Sequence, residues 1–190
     1  MGKNSRAIRY IIVLLCLAVG CAKKEAPHLE ESSAMLEKFR IESLAGKVAL
    51  VVTGESAEQE NAGTKTVVKK PDLKISSKNS LIDITTDKTG KGELLLDPST
   101  RKISDILLEG TIRITQKPAE GAPPSFTATC TKLIYRQNKE TLIMEGSPEI
   151  VQTGNRYRAD RIVYDMRSGK LAFEGNVRVQ VTDLSDRRAD

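Results

Sequence analysis

Short apolar runs separated by polar residues fill the chain from Lys47 onward. Valine, isoleucine, leucine and threonine make up the runs, and Gly, Pro, Asp, Asn and Ser lie between them. Runs of these residue types bounded by such turn formers are typical of β-strands. The pattern predicts a mostly or wholly β body, with strands at residues 47–52, 64–68, 73–77, 81–85, 93–96, 103–108, 111–116, 126–136, 141–144, 149–153, 157–164, 170–173 and 177–182.

Several of these runs alternate strictly between apolar and polar residues, as a strand with one buried and one wet face requires. The valines of residues 177–181 share one face of their strand, and the polar residues between them share the other. The run at 157–164 changes phase near Asp160, so we expect a β-bulge there. Because only a polar tail at 183–190 follows the last run, we predict that this run forms an exposed edge strand.

Three stretches do not follow the strand pattern clearly. The polar residues 54–63 and the proline-containing residues 117–125 are predicted to be exposed loops. At 34–44 the apolar spacing fits either a short amphipathic helix or the start of a strand. The apolar residues concerned are Met35, Leu36, Phe39, Ile41 and Leu44.

The densest apolar stretch, residues 10–20, follows a basic N-terminus. It is shorter than the roughly 20 apolar residues that a transmembrane helix needs. A basic segment, a short apolar segment and then small residues predict a cleaved secretory signal over residues 1–20. The polar residues 21–33 that follow have no apolar periodicity and are predicted to be a tether. One domain is then expected over residues 34–182.

Charge and composition exclude several classes of function. The full chain has a net charge of +5, and the predicted signal contains three basic residues and no acid, which leaves +2. This balance gives no electrostatic case for nucleic-acid binding. The single histidine, His28, falls in the tether, so the body has no imidazole for catalysis or for a zinc site. We therefore expect no enzyme activity, no metal and no cofactor, with Cys130 as a small buried residue.

The body contains an internal repeat. Leu-Ile-Tyr at 133–135, followed by Leu-Ile-Met-Glu-Gly at 142–146, recurs 29 positions later as Ile-Val-Tyr and Leu-Ala-Phe-Glu-Gly. A fainter copy, Glu-Gly-Thr-Ile-Arg-Ile at 109–114, matches Glu-Gly-Asn-Val-Arg-Val at 174–179. Each unit predicts a strand, a polar turn, a short strand, a Glu-Gly corner and another strand. The chain is therefore expected to zigzag antiparallel.

These repeats resemble a known family. Tyr-Arg-Ala-Asp-Arg-Ile-Val-Tyr-Asp at 157–165, followed by Ser-Gly-Lys-Leu at 168–171 and the Glu-Gly-Asn-Val corner, is similar to the OstA-type repeat of the lipopolysaccharide transport proteins LptA and LptC. The similarity covers about residues 126–181. It implies an all-β fold, a slightly twisted antiparallel β-jellyroll with open ends and an apolar interior. It also implies that lipopolysaccharide acyl chains bind in this interior, and that such domains stack through edge-to-edge strand docking.

The residues before Cys21 carry a second resemblance. Leu-Ala-Val-Gly-Cys at 17–21 is similar to the lipobox of bacterial lipoproteins, with Ala18 where leucine is commonest. This resemblance implies that Cys21 is lipidated and that the lipid anchors the chain on the periplasmic side of a membrane. LptC-like proteins usually carry an uncleaved transmembrane helix, and LptA-like proteins are soluble. The two resemblances therefore leave two alternatives open. The anchor lies in the inner or in the outer membrane, and the chain acts as the LptA-like or as the LptC-like component.

Two functions follow from this interpretation. The first is non-enzymatic binding and transfer of lipopolysaccharide, or of a similar acylated envelope lipid, across the periplasm. The alternative is a membrane-tethered scaffold with a closed core that binds another envelope protein and no lipid. The basic cluster of Arg156, Arg158 and Arg161 is expected to be a solvated strand face, with contact to lipid phosphates as the alternative.

The residues predicted to line the interior share the apolar face of the alternating strands. For each of them ordinary core packing is the alternative to lipid contact. The predicted residues are Ile82, Ile84, Ile112, Ile114, Leu142, Met144, Ile162, Tyr164, Leu171, Phe173, Val177 and Val179.

Overall fold

The computed structural model describes residues 35–77, 80–118 and 125–182. The predicted signal, Cys21, the tether and the polar tail lie outside these residues. Among the residues that are described, none belongs to a helix long and apolar enough to cross a membrane.

The described residues form fourteen strands and one turn of 3-10 helix at Asn61–Gly63, and every strand pair is antiparallel. The predicted all-β class is therefore confirmed. The strands are β1 (Met35–Ala45), β2 (Val48–Glu60), β3 (Lys65–Lys69), β4 (Asp72–Ser76), β5 (Ser80–Thr86), β6 (Lys91–Leu96), β7 (Ile103–Pro118), β8 (Phe126–Arg136), β9 (Thr141–Glu145), β10 (Glu149–Gln152), β11 (Asn155–Arg158), β12 (Arg161–Asp165), β13 (Lys170–Glu174) and β14 (Arg178–Gln180).

The long strands β2, β7 and β8 divide the sheet into two layers, because each half of them pairs with a different set of short strands. The first half of β2 pairs with β4 and its second half with β3. The second half of β7 pairs with β5 and its first half with β6. Likewise β8 pairs with β10 and then with β9, and those strands pair with β11 and β12.

We call the two halves layer A and layer B. Layer A contains β4, β5, β10, β11 and β14, and layer B contains β3, β6, β9, β12 and β13. Side chains of the two layers meet in one hydrophobic core cluster. The antiparallel sheet is thus folded back on itself along a line of corners, which is the predicted β-jellyroll.

The Glu-Gly corners of the repeat lie on this line, where the chain passes from one layer to the other. Gly146 and Gly175 have φ values of +71° and +68°, in the left-handed region that favours glycine. A Cβ on Gly146 would collide with the Thr131 hydroxyl, and a Cβ on Gly175 would collide with the Asp160 carboxylate. Glycine is therefore required at both positions for two reasons: the backbone is left-handed, and a neighbouring side chain occupies the place of a Cβ.

The break in the run at 157–164 is one of these corners. β11 ends at Arg158 and β12 begins at Arg161, so the phase change near Asp160 reflects a change of layer. The Asp160 amide donates hydrogen bonds to the carbonyl oxygens of Glu174 and Gly175, at 3.1 and 3.2 Å. The Asp160 carboxylate accepts a 2.8 Å hydrogen bond from Asn176. These bonds join the corner before β12 to the corner before β14.

The structure corrects the helical interpretation of residues 34–44. They form β1, which pairs with β2 from Met35 to Ala45. Lys38 has a φ of +48° and interrupts the pairing between Glu37 and Phe39. This irregularity places Leu36 and Phe39 three residues apart on one face of a strand. The apolar spacing that resembles a helix therefore reflects a change of phase near Lys38 in a strand whose register with β2 does not shift.

Residues 54–63 are not the predicted exposed loop. β2 continues to Glu60, and only the turn at Asn61–Gly63 leaves the sheet. The polar side chains of this half of β2 face water, while Ala57 is buried. The runs predicted at 103–108 and 111–116 are the two halves of β7, with a register shift between them. The predicted loop at 117–125 begins inside β7, and its residues 119–124 lie outside the described part of the chain.

Candidate functional site

A continuous row of apolar residues crosses the inner face of layer A from one edge to the other. Residues directly opposite each other on antiparallel strands point to the same face of the sheet. Following the registers from β1 to β14 therefore identifies side chains on one face. We call this set row A, and it consists of Ile41, Val52, Leu73, Ile84, Ile114, Ala128, Ile150, Tyr157 and Val179.

A second row crosses layer B in the same way, from β1 to β13. Like row A it has nine members and no charged residue. We call this set row B, and it consists of Leu36, Ala57, Val68, Gly92, Leu108, Leu133, Met144, Ile162 and Phe173.

Burial changes along both rows. Val52 and Ile84 in row A, and Leu133 in row B, are completely buried. At the outer ends, Leu36 and Val179 are each 54% exposed. The interior between the layers is therefore packed at its centre and opens to solvent at both edges of the sheet.

Aromatic contacts join the two layers near the β13–β14 edge. The rings of Tyr157 in layer A and Phe173 in layer B lie 5.5 Å apart. Further inside, Phe126 and Tyr164 make an edge-to-face contact at 5.1 Å. Such pairs contribute about 0.5–1.5 kcal/mol each beyond the area they bury. These contacts between the layers involve side chains only, because β14 pairs with β11 within layer A and β13 pairs with β12 within layer B.

The interior also contains polar atoms without partners. Among the described residues, the Tyr135 hydroxyl and the Gln116 side-chain oxygen are buried and make no hydrogen bond. Burial, with a smaller contribution from the negative charge of Glu140, raises the pKa of Tyr135 to about 12. The hydroxyl is therefore neutral at physiological pH. A buried polar atom without a partner costs free energy, so the closed interior is less stable than it would be with these atoms hydrogen-bonded.

The predicted interior residues fall into three groups. Leu171 and Phe173 are half-buried and pack against the core, while Val177 and Val179 are about half-exposed at the final strand. Val179 is nevertheless on the inner face, because it lies opposite Tyr157. The remaining eight are buried in the core cluster, namely Ile82, Ile84, Ile112, Ile114, Leu142, Met144, Ile162 and Tyr164.

Twelve of the eighteen row members are absent from the predicted set, among them the residues at the β1 end of the rows and Tyr157. Leu36 and Ile41 begin rows B and A, but the change of phase near Lys38 hides the alternation. Tyr157 is out of phase with Ile162 along the chain, because a corner separates the two residues. The sequence signal for the inward position of Tyr157 is its alternation with the charged residues on either side of it.

The two outer edges of the sheet expose most of the large apolar side chains found at the surface. Seven such residues are exposed in the described part of the chain, and Leu95 alone lies away from the edges. β1 pairs only with β2, and β14 only with β11, among the described strands. An unpaired edge strand with exposed apolar residues is suited to pairing with another strand. The other six residues are Met35, Leu36 and Leu44 near β1, and Val177, Val179 and Val181 near β14.

The described residues contain no cluster of three or more His, Cys, Asp or Glu side chains arranged as metal ligands. Cys130 is buried, and burial raises the pKa of its thiol to about 12. The fold and its interior therefore define a β-jellyroll with an uncharged apolar path between two open edges.

Comparison with known proteins gives the family. Residues 56–170 match the family described as LptA/(LptD N-terminal domain) LPS transport protein. This match spans more than half of the chain, and the chain belongs to this family. Proteins of this family are transport components and not enzymes, so the prediction of a non-enzymatic protein is confirmed.

A solved structure shows the same fold. It is the crystal structure of LptH from Pseudomonas aeruginosa, described as the LptA homologous periplasmic component of the conserved lipopolysaccharide transport device. The match has a TM-score of 0.55 and 15% sequence identity, and it covers 70% of this chain and 95% of that chain. Comparison with curated protein sequences gives no match.

Proposed function

We propose that this chain binds lipopolysaccharide, or a similar acylated envelope lipid, and passes it across the periplasm as an LptA/LptC-like component. The observation that supports this most strongly is that rows A and B run without a charged residue from one free edge of the sheet to the other. Acyl chains would lie between the two rows, in contact with both layers.

The length of the rows fits this role. Nine strands spaced by about 4.8 Å give each row a length of about 38 Å along the sheet. The hydrocarbon core of a bilayer is about 30 Å thick, and the acyl chains of one leaflet occupy about half of that. Each row can therefore cover an extended acyl chain along its whole length.

The energetics also favour lipid entry at the edge. Each methylene transferred from water to an apolar site contributes about 0.8 kcal/mol. Opening the β13–β14 end requires the loss of the Tyr157–Phe173 contact and some apolar packing. For an acyl chain that enters from water, a few buried methylenes are enough to offset the loss of the ring contact.

Fluorescence tests the proposal directly, because the chain contains no tryptophan. Phe173→Trp places a single fluorophore at the end of row B, and Lys170→Trp places one on the exposed end of the same strand as a control. We expect added lipopolysaccharide to shift the emission of the Phe173→Trp variant to the blue and to leave the control unchanged. No response at either position would favour a closed scaffold.

We further propose that the free edges dock other jellyroll transport proteins. Unpaired strands with exposed apolar residues at both ends support this proposal. Strand addition at β1, or at β13 together with β14, would continue both layers and join rows A and B to the interior of the next domain. Lipid would then pass between domains without leaving an apolar surface.

The lipid anchor is proposed on sequence alone. We propose that residues 1–20 are removed, that Cys21 is lipidated, and that residues 21–33 tether the domain at the periplasmic face of the inner or outer membrane. Metabolic labelling with an alkyne fatty acid tests this. Cys21→Ser should lose the label and the membrane association, while Cys16→Ser should keep both, because Cys16 lies within the predicted signal. Labelling of the Cys21→Ser chain would refute the anchor.

A further inference from the structure

Three arginine side chains surround a small depression at the β14 edge. The depression has a volume of about 180 Å³ and is lined by Arg156, Arg158, Arg178, Val179 and Gln180. Arg156 and Arg158 are on β11, and Arg178 is on the neighbouring β14. No acidic side chain lines the depression.

The positive charge of this cluster is only partly neutralised. Arg156 and Arg158 share one carboxylate, that of Glu149, and Arg156 approaches it at 3.1 Å. Arg178 makes no ion pair with any residue in the described part of the chain. Three guanidinium groups therefore have one carboxylate between them. The cluster has an excess of two positive charges.

The strand register increases the electrostatic cost of this arrangement. Arg158 and Arg178 lie directly opposite each other on β11 and β14, and both point outward. Like charges directly opposite each other on a sheet are destabilising. A bound anion would remove this repulsion, because each guanidinium presents donors in a geometry that matches phosphate.

The structure changes the membership of the cluster that the sequence indicated. Arg161 is on β12 in layer B, and its guanidinium pairs with carboxylates of that layer. Arg178, on β14 in layer A, takes its place beside Arg156 and Arg158. The sequence could not indicate this, because the pairing of β11 with β14 joins residues that are far apart along the chain.

A larger cleft of about 820 Å³ adjoins the depression and shares Arg158 and Arg178 with it. That cleft also contains the carboxylates of Glu149 and Asp160, so its charges balance. With Asp160 included, the three arginines of the depression and the cleft face two carboxylates, so one positive charge stays in excess at the free edge.

The depression adjoins the end of the apolar path. Val179 lines it and is also the last member of row A. The arginines lie on the outer face of β11 and β14, and Val179 lies on the inner face, so a headgroup attached to a chain at this end would reach the arginines around the β14 edge. This proximity favours an amphiphile with a negative headgroup over a soluble anion.

We propose that Arg156, Arg158 and Arg178 bind a phosphate group on the headgroup of the acylated lipid. This proposal rests on the proposed function, because it requires acyl chains in the interior. The arginines would hold the headgroup at the β14 edge while the chains lie along rows A and B. Lipids with phosphate would then be preferred over otherwise identical lipids without it.

The test compares the affinity of the full chain for hexa-acylated lipid A with its affinity for the same lipid after removal of both phosphates. The variant is Arg158→Gln with Arg178→Gln, and the matched control is Arg113→Gln. Arg113 is an exposed arginine on the outer face of β7, about 14 Å from Arg158 by strand spacing. Inorganic phosphate is titrated in parallel.

We expect the unchanged chain to prefer the phosphorylated lipid by about tenfold at low salt, and the preference to fall as salt is added. The double variant should lose the preference and keep its affinity for the dephosphorylated lipid. The Arg113→Gln chain should behave as the unchanged chain does.

Other outcomes overturn the proposal in distinguishable ways. Equal affinity of the unchanged chain for both lipids would refute the phosphate site and leave the proposed function standing. Inorganic phosphate binding as tightly as the phosphorylated lipid would assign the site to a soluble anion. A double variant that keeps the preference but loses docking to another jellyroll protein would assign the arginines to a protein contact. No binding of either lipid would refute the proposed function and this site together.

Discussion

At the scale of single residues, the corners depend on glycines whose missing side chain leaves room for a neighbour. Gly175 lies under the Asp160 carboxylate, and Gly146 lies under the Thr131 hydroxyl. The two corners occupy equivalent positions in the repeat. The glycine of the Glu-Gly motif therefore leaves space for a neighbouring side chain and also allows the left-handed backbone conformation. Gly169 has a similar φ of +69° but no atom within 4 Å of an added Cβ.

Gly175→Ala should therefore destabilise the protein more than Gly169→Ala. Both variants place alanine at nearly the same left-handed φ, which costs about 1–2 kcal/mol. Only the first also forces the Asp160 side chain away, which adds about 1–3 kcal/mol. Urea unfolding measures both losses. Equal losses would show that space at this corner does not matter.

Cys130 should be inert in the folded protein. Because burial raises the pKa of its thiol to about 12, only about one molecule in 10⁴ carries the thiolate at pH 8. Iodoacetamide followed by peptide mass spectrometry should detect alkylation of Cys130 in urea and not in native buffer. Rapid alkylation of the native protein would contradict the burial of this residue.

At the scale of elements, the strands and the repeat corners could be predicted from sequence because their signals are local. Alternation marks one strand at a time, and a Glu-Gly pair marks one corner. The extension of β2 through residues 54–60 could not be predicted, because pairing with β1 and β3 stabilises it despite its polar composition. The division of β7 and β8 between two layers depends on registers between distant residues, which leave no local pattern.

The carboxyl group of Asp97, in the turn between β6 and β7, should titrate at an unusually low pH. Hydrogen bonds from the Ser99 hydroxyl, and from the amide and hydroxyl of Thr100, lower the pKa of Asp97 to about 2. A lowered pKa means that Asp97 adds stability above its ordinary pKa near 4 and loses it as the pH falls toward 2. The stability difference between the unchanged chain and Asp97→Ala should shrink over that range. A carboxyl NMR titration with its midpoint near pH 4 would contradict this.

The free edges should contact other jellyroll proteins in cells. A photo-crosslinking amino acid at Val181 or Leu44 is expected to yield adducts with a jellyroll transport protein, identified by mass spectrometry. The same amino acid at Arg113, on the outer face of the sheet, serves as the control. Adducts at Arg113 equal to those at the edges would argue against edge-to-edge docking.

At the scale of the whole molecule, one antiparallel sheet folded in half produces two apolar rows that face each other. The sequence identified some of the central residues of these rows, namely Ile84, Ile114, Met144 and Ile162, because they alternate within single strands. It could not show that the rows are continuous, since continuity depends on eight successive strand pairings in each layer. The packed centre and the open edges together suggest an interior that admits acyl chains by separation of the layers.

The most direct test of this account is photo-crosslinking in living cells at Phe173, with Lys170 on the same strand as the control. Phe173 ends row B at the open edge, whereas Lys170 is exposed on the outer face. If acyl chains bind between rows A and B, we expect lipopolysaccharide adducts at Phe173 and none at Lys170. Lipid adducts at neither position, with crosslinks to proteins alone, would contradict it and favour a scaffold with a closed core.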